Sequence, residues 1–571
     1  MSWLSWDGAA RSMFVGIIRW RRLARILPVS IAGSEFRHLG SEIDPAREIV
    51  PGAVGRLSVP LVAFPEQLPS EGDILIFGAG EGGRIVHAAF RSGSKAQVLG
   101  FIDNHKTGVV DGLPVWNPNA VLPPVPGVRV VVASMYAGEI AGQLRRLGVS
   151  EWWNAGPLIR NHLHERDLRR RNSFSSLPAY AGEILLVLTA LVLALLGRWS
   201  RKSVDVGIGP DCLVNNRYHK LALLETGYSA ETFVLGLTHV TRDFDHIFMS
   251  RPDLALDWLV RLKAFRLMVT RYRAVFMYFN GGPLSSTRWA WRIEPWLLEL
   301  ARVRTVVMPY GADIQDYTLT PNLLFKHAHS MDYPYEIRDR RRIADRIDLW
   351  TESADFVISG CDWVDYTHHW DLLLTGHFTI DIAEVMAKVA HLQPEENDDR
   401  PLRIVHTPNH RTIKGTAHLI AAVEQLRQEG VAIDLKIVEF ASNQTVLEEM
   451  ASADLVVDQL VIGWYAMVAI EAMTLGKPVI CYLRPDLVDL YEFSGCLQPG
   501  ELPLIPADIF NLTNVLRTLA ADRGRLRELG RLGQAYVQSH HSLQRIGKVF
   551  SEILTKIDAR TFARSPRLQI K

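Results

Sequence analysis

Short apolar runs recur along most of this chain, each followed by a stretch whose apolar residues fall three and four apart, the spacing of a helix packed by one face. The first group is "DILIF" from Asp73, "QVLGFI" from Gln97 and "VRVVV" from Val128. A second group contains "ETFVLG", "AVFMYFNGG", "RTVVMPYGAD" and "ADFVISG", and a third contains "PLRIVH", "IDLKIVE", "ADLVVD" and "KPVICYL". Strands buried on both faces and alternating with helical text predict parallel sheets covered by helices. The polar, proline-bounded "LQPEENDDRP" (Leu392 to Pro401) separates the second group from the third and reads as a linker. The predicted fold class is therefore α/β, with one Rossmann-like domain near the N-terminus and two more after it. The expected boundaries are 1–72 for a basic amphipathic region, 73–157 for the first α/β domain, 158–203 for a connector, 204–395 for the second α/β domain and 396–571 for the third.

Two stretches break this rhythm. Ile184 to Leu196, "ILLVLTALVLALL", is apolar on every side and is flanked by Arg169 to Arg171 and by Arg198, Arg201 and Lys202. A spanning helix needs about 20 apolar residues, so this run predicts either an interfacial segment or a helix buried between domains. Spanning would also put the parts on its two sides in different compartments, and both are expected on the cytosolic side. Near the N-terminus, Arg11, Arg19, Arg21, Arg22 and Arg25 are interleaved with Phe14, Val15, Ile17, Ile18 and Leu23. That pattern fits a helix on an anionic membrane surface and equally one packed on the protein; no cleavable signal is expected there.

Composition narrows the function. At 571 residues, 48% hydrophobic and 22% charged, the chain can bury several cores. Lys plus Arg number 63 against 62 for Asp plus Glu, a net charge of +1, which argues against a nucleic-acid partner. Cys212, Cys361, Cys481 and Cys496 lie far apart with no CxxC pair, so neither a zinc site nor a disulfide framework is indicated, and a reducing, cytoplasmic setting fits.

In the first domain, Gly78, Gly80 and Gly83 stand in GxGxxG spacing between a strand and a helix. Glycines there let the backbone approach a pyrophosphate, and Asp103, about 20 residues on, stands where a ribose-binding acid is expected. No tyrosine in the chain is followed four residues later by lysine, the pair a short-chain dehydrogenase or epimerase uses for proton transfer. With "IFGAGEGG" and "GFIDN", the segment resembles small nucleotide-binding domains attached to bacterial sugar-modifying and polysaccharide enzymes. The resemblance implies a bound nucleotide or nucleotide sugar more than redox chemistry, with NAD(P) as the other cofactor open to it; a scaffold that has lost its ligand is the alternative.

In the third group, "HTPNHRTIKGTAHLI" follows a strand and precedes a helix, so Arg411 and Lys414 are expected near a helix start that attracts anions. Gly415 and a second helix start after Trp464 point to a diphosphate, and no DxD-type pair in a strand-end context argues for a metal. "HRTIKGTAHLIAAVEQL", "ADLVVDQLVIGWYAMVAIEAMTLGKPVI" and "LRELGRLGQAYVQSHHS" together resemble the donor domain of a retaining GT-B glycosyltransferase of the family 4 type. "VVMPYGADIQDY" resembles the acceptor-side loop of such enzymes, with Tyr310 in place of a histidine before Gly311 and Asp313. The resemblance assigns Arg411 and Lys414 to the leaving diphosphate and Glu471 to the ribose of the donor. His406, Asn409, Gly415, Gly463, Trp464, Tyr465 and Ala466 fall on the donor side, and Gly281, Gly282, Tyr310, Gly311 and Asp313 on the acceptor side. The chain departs from the pattern at Gly463, where the family often has a sugar-binding glutamate, and at Asn409, where its arginine usually stands.

The resemblance implies transfer from a UDP-, GDP- or ADP-sugar to a glycan or lipid-linked glycan in bacterial surface polysaccharide synthesis, without a metal and at or near the cytoplasmic face of the inner membrane. Two other readings stay open at this point: a non-catalytic nucleotide-sugar-binding scaffold of a polysaccharide assembly system, and a sugar oxidoreductase built on the glycine loop.

Overall fold

The computed structural model describes residues 62, 64–122, 127–134, 140, 143–144, 146–149, 151–159, 161–163, 166, 177–237, 242–249, 257–316, 318–333, 339–392, 400–439 and 441–559. The basic N-terminal pattern from Arg11 to Arg25 and the triple arginine Arg169 to Arg171 lie outside these residues.

Three sheets form, one for each group of apolar runs. The first takes β1 (Asp73–Phe77), β2 (Gln97–Ile102), β3 (Gly108–Val110), β4 (Leu113–Trp116), β5 (Val128–Val132) and β6 (Trp152–Asn154) in the order β3-β4-β2-β1-β5-β6. Its neighbours run parallel except the β3–β4 hairpin. The direction of strand addition reverses beside β1, the usual place for a ligand in an open sheet. The domain begins earlier than Asp73. Val62 is fully buried and exchanges backbone hydrogen bonds with Asn154 and Leu158 (2.9 Å each), so the segment before β1 closes the far edge of the sheet.

The second sheet is parallel throughout. It orders β7 (Val204–Ile208), β8 (Ala230–Val234), β9 (His246–Ile247), β10 (Tyr272–Tyr278), β11 (Arg304–Met308), β12 (Phe356–Gly360) and β13 (Leu372–Leu374) as β13-β12-β11-β10-β7-β8-β9. The third, also parallel, orders β14 (Leu402–His406), β15 (Ile433–Ile437), β16 (Leu455–Val457), β17 (Val479–Cys481) and β18 (Ile505–Pro506) as β15-β14-β16-β17-β18. The chain is thus α/β, with a Rossmann-like domain followed by two more in a GT-B arrangement, as expected.

The last helix corrects the C-terminal boundary. Leu543–Asp558 crosses back and packs on Val214–Glu225 of the second domain, where a Cβ on Gly547 would stand 2.2 Å from the Ala222 carbonyl oxygen. Only glycine permits that approach, so the final helix belongs to the core of the second domain and ties the two halves together. Residues 177–199 also belong there, since the helix Leu177–Trp199 lies against Asp257–Arg271 and Glu294–Leu300.

Candidate active site

The third domain closes against the second through the loop that carries the predicted cations. Arg411–Lys414 forms one short helical turn, Gly415 follows in the left-handed conformation (φ 74°), and the long helix Thr416–Gln428 then begins. That turn is clamped by the helix Leu323–Asp332 of the facing domain. Ile413 N–H donates to Asp332 (3.0 Å), the Tyr333 hydroxyl meets His410 (2.6 Å), and Phe325, Ala328, Ile413 and Val461 share one apolar cluster. Gly415 is needed for packing: its Cβ would stand 2.9 Å from the Leu460 side chain.

Both cations are already paired. Arg411 donates to both oxygens of Glu439 (2.8 and 2.5 Å), which holds its pKa above the ordinary value. Lys414 is buried and donates to Asp458 (2.7 Å) and to Gln459 (3.1 Å). The Asp458 side chain is fully buried, and its other oxygen accepts from Ala466 N–H (3.2 Å) at the start of the helix Met467–Thr474. A carboxylate of the protein therefore occupies the position between a lysine and a helix start where the sequence predicts an anion. Asp458 was missed by motif reasoning, although its place directly after β16 was a usable signal.

Glu471 lies on that same helix, half-buried, and accepts from Asn443 (3.0 Å). Burial pushes its carboxyl up to about 7, Asn443 and Lys388 pulling it down and nearby Asp458 adding to the rise. No ion pair holds it among the described residues, so it is not a structural salt bridge.

The remaining donor-side residues divide by direction. Asn409 is exposed at the loop tip. The side chains of His406, Trp464 and Tyr465 turn inward, a correction to the expectation that they face the donor. His406 bonds Val457 (2.8 Å) and Thr416 (3.0 Å), with burial bringing it down to about 4. Trp464 donates to the Thr375 carbonyl of the facing domain (2.7 Å) and packs on Tyr491, and the Tyr465 hydroxyl bonds Tyr536 and His541 (2.8 and 3.0 Å). They shape the loop because large aromatic rings there have nowhere else to bury their area. Gly463 has φ 104°, and a Cβ would stand 2.6 Å from the Arg484 stem. Arg484, missed by sequence reasoning, bridges Asp486 and Asp365 of the facing domain. A glutamate at 463 would collide with it, which accounts physically for that departure from the family pattern.

On the acceptor side the strand ends gather a buried polar network. The Asp313 carboxylate accepts from Phe279, Tyr310 and Gly311 N–H groups (2.9 Å each), stitching the ends of β10 and β11, and burial pushes it up to about 7. Gly281 packs on Trp350, and Gly282 N–H donates to buried Glu294 (3.0 Å). Asn280 is the hub: its amide donates to the Tyr310 hydroxyl (2.9 Å) and to Asp211 (3.1 Å) and accepts from Arg346 (2.8 Å). Asp211, Asn280 and Arg346 carried no recognised motif, although Asn280 immediately precedes Gly281 and Gly282. Burial pushes Asp211 up to about 6, and its Oδ2 has no hydrogen-bond partner among the described residues.

In the first domain the three glycines have different physical roles. Gly78 (φ 115°) lies against the Ala133 carbonyl, and a Cβ on Gly83 would stand 2.0 Å from the Gly78 carbonyl oxygen, so both are required by the fold. Gly80 is not: a Cβ there would meet only the Lys106 ammonium at 3.7 Å. Asp103 accepts from Ala79 N–H (2.8 Å) on one oxygen and from His105 and Lys106 N–H (2.9 and 3.0 Å) on the other. Burial raises its pKa, but these bonds and the Lys106 charge outweigh it and hold the carboxyl below its ordinary value. Asp103 thus braces the loop from within instead of presenting two free oxygens to a ribose. The loop leaves room at Gly80 beside the Lys106 ammonium, while the acid does not follow the dinucleotide pattern.

No group of three or more His, Cys, Asp or Glu residues that could hold a metal ion occurs among the described residues, and all four cysteines are free.

No family model matches the chain, and no curated protein is similar to it at a significant level. Solved structures do align with it. Sucrose-phosphate synthase from Thermosynechococcus elongatus is 16% identical, with 63% of this chain and 100% of that one covered and a TM-score of 0.40. HepE of Anabaena in complex with UDP and glucose is 15% identical over 62% and 99% (TM-score 0.41). WaaG, a glycosyltransferase involved in lipopolysaccharide biosynthesis, is 14% identical over 62% and 100% (TM-score 0.40).

Proposed function

We propose that the chain is a glycosyltransferase that moves a sugar from a nucleotide-sugar donor to a glycan or lipid-linked glycan, in bacterial surface polysaccharide synthesis at the cytoplasmic face of the membrane. The observation that carries this reading is the position of the Arg411–Lys414 turn, held at the seam between two Rossmann-like domains with the start of Met467–Thr474 and Glu471 in the same domain. A leaving diphosphate needs cations and N–H groups aimed at its developing charge in a closed, water-poor site. Lys414, Arg411 and the Ala466 N–H are those groups, and binding exchanges their carboxylate partners Asp458 and Glu439 for phosphate oxygens. Glu471 accepts the ribose hydroxyls. Retention of configuration and independence from metal are part of the proposal, with the departing phosphate taking the acceptor's proton.

One observation favours a second reading. Arg411, Lys414, Asp458 and Glu439 sum to zero charge, and a neutral cradle attracts a diphosphate weakly. Together with Gly463, this suits a nucleotide-sugar-binding scaffold without turnover. Incubation with UDP-, GDP- and ADP-sugars decides: nucleoside diphosphate release that depends on added glycan acceptor supports transfer, whereas nucleotide binding without release supports the scaffold. The first domain is proposed to hold a nucleotide phosphate at Gly80 and Lys106. Mass spectrometry of copurifying nucleotide, NAD(P) included, tests that part.

A further inference from the structure

The helix Leu177–Trp199 is long and apolar enough to cross a membrane, yet one face of it packs on the helices Asp257–Arg271 and Glu294–Leu300 of the second domain. Leu186, Ala190 and Ala194, four residues apart, are buried against the second domain, and Gly197 lets the backbones approach so closely that a Cβ would stand 2.5 Å from the Val269 carbonyl oxygen. Opposite them, Ile184, Leu185, Leu188, Val192, Leu195, Leu196 and Trp199 are exposed, Leu196 at 60% and Trp199 at 82%. At 100° per residue these seven fall within an arc of about 120° and run along roughly 22 Å of helix. An ordinary surface helix carries charge on that face.

Two polar side chains in the middle of this helix, Glu183 and Thr189, are consumed internally. Glu183, its only acidic residue, turns inward and accepts from Arg288 and Trp289 N–H (2.6 and 3.1 Å), and the Thr189 hydroxyl donates to its own helix at Leu185 (2.8 Å). Cations stand around it: Arg201 just past its end, and Lys263 and Arg266 on the exposed side of the packed helix Asp257–Arg271, with no acidic partner among the described residues. A long apolar face ending in an exposed tryptophan, with Arg201 just past it and Lys263 and Arg266 exposed on the neighbouring helix, is complementary to the boundary between acyl chains and anionic headgroups.

We infer that this helix lies in the plane of an anionic lipid surface, inserting the Ile184–Trp199 face into one leaflet and carrying the second domain on the membrane. It does not span, because its other face is bonded to that domain from Glu183 to Gly197. Of the two expectations drawn from the apolar run, interfacial segment and buried helix, the inference takes up the first. The inference stands on the helix and its cations and is independent of the proposed transfer activity.

The test uses the full chain and vesicles of roughly three parts phosphatidylcholine to one part phosphatidylglycerol, the anionic lipid supplying the attraction. The expected result is flotation of the wild type, release by alkaline carbonate, and at least tenfold weaker binding by Leu188→Ser/Val192→Ser/Leu196→Ser. That variant should keep its melting temperature, because all three side chains are exposed. A second variant, Lys263→Ser/Arg266→Ser, tests the charge component without touching the helix and should weaken binding at low salt and flatten its further loss as salt is raised. Three results overturn the inference: wild type that does not float, a triple variant that floats equally well, or wild type retained through carbonate. A wild-type dimer that the triple variant converts to monomer also overturns it, since a second copy then covers the face.

Discussion

Glu471→Gln separates a ligand-binding carboxylate from a structural one by the sign of two effects. In the folded chain burial holds Glu471 up to about 7, against 4.5 for an ordinary glutamate. Its neutral form is thus favoured by folding: the associated stability is complete below the unfolded value and lost as pH rises through the folded one. At ~1.4 kcal/mol per pH unit the difference sets a ceiling of roughly 3 kcal/mol on the strain present at pH 8. Partial exposure and the Asn443 and Lys388 contacts reduce the expected relief to about 1–2 kcal/mol. Glutamine keeps the carbonyl that accepts from Asn443 and carries no charge. The variant should therefore melt with wild type near pH 4.5 and above it at pH 8 in calorimetry. Donor affinity should move the other way. A nucleotide sugar that loses a charged acceptor for its ribose hydroxyls is expected to bind about 1–3 kcal/mol more weakly, roughly 5- to 160-fold by titration calorimetry. A variant that is destabilised at pH 8, or that binds nucleotide unchanged while more stable, would refute the assignment.

Lys414→Met should unfold the third domain earlier by about 3–5 kcal/mol, because it strands the fully buried Asp458, while Lys414→Met/Asp458→Asn should recover most of that loss; an additive double variant in urea denaturation would count against the pairing. In the first domain, Gly83→Ala should abolish folding by collision with the Gly78 carbonyl, whereas Gly80→Val should leave the circular dichroism spectrum intact and remove nucleotide binding there. Glu294, Asp313 and Asp362 are each pushed up to about 7 by burial, so the native chain holds protons that the unfolded chain has lost. Stability should fall as pH rises from about 6 to 8, and a rise over that window in denaturant titrations would contradict these environments.

How far the sequence reaches depends on whether a residue's role is set locally or by something distant. The sheets were legible because a strand buried on both faces must be apolar whatever packs on it, and the three groups of runs became three sheets. The GxGxxG spacing was legible too, but spacing could not tell that Gly78 and Gly83 are glycine for the protein's own backbone and only Gly80 leaves room. The cation loop was placed correctly between strand and helix, while its charge state was not. The partners Glu439 and Asp458 lie 28 and 44 residues away, and only the folded chain shows that each cation already has a carboxylate. The C-terminal helix was assigned to the wrong domain for the same reason. Its apolar face is plain in the text, but the groove that receives it is built more than 300 residues earlier, and the one local hint was Gly547.

The apolar helix shows what such non-local information decides. Read alone, Ile184 to Leu196 is symmetric, with leucines and valines on every side, and length could only disfavour spanning. Packing breaks that symmetry: Leu186, Ala190 and Ala194 go inward, a glycine admits the neighbouring backbone, Val187, Leu191 and Leu193 are partly buried, and seven larger side chains are left outside. Alanines fill two of the buried positions while Ile184, Leu185, Leu188 and Leu196 face out, although leucine and isoleucine gain more from a protein core than alanine does. An outward face that also leaves water lowers the cost of that arrangement. The lipid surface inferred above would take up that face without any matching protein groove, and it would place the proposed transferase at the same interface as a lipid-linked acceptor.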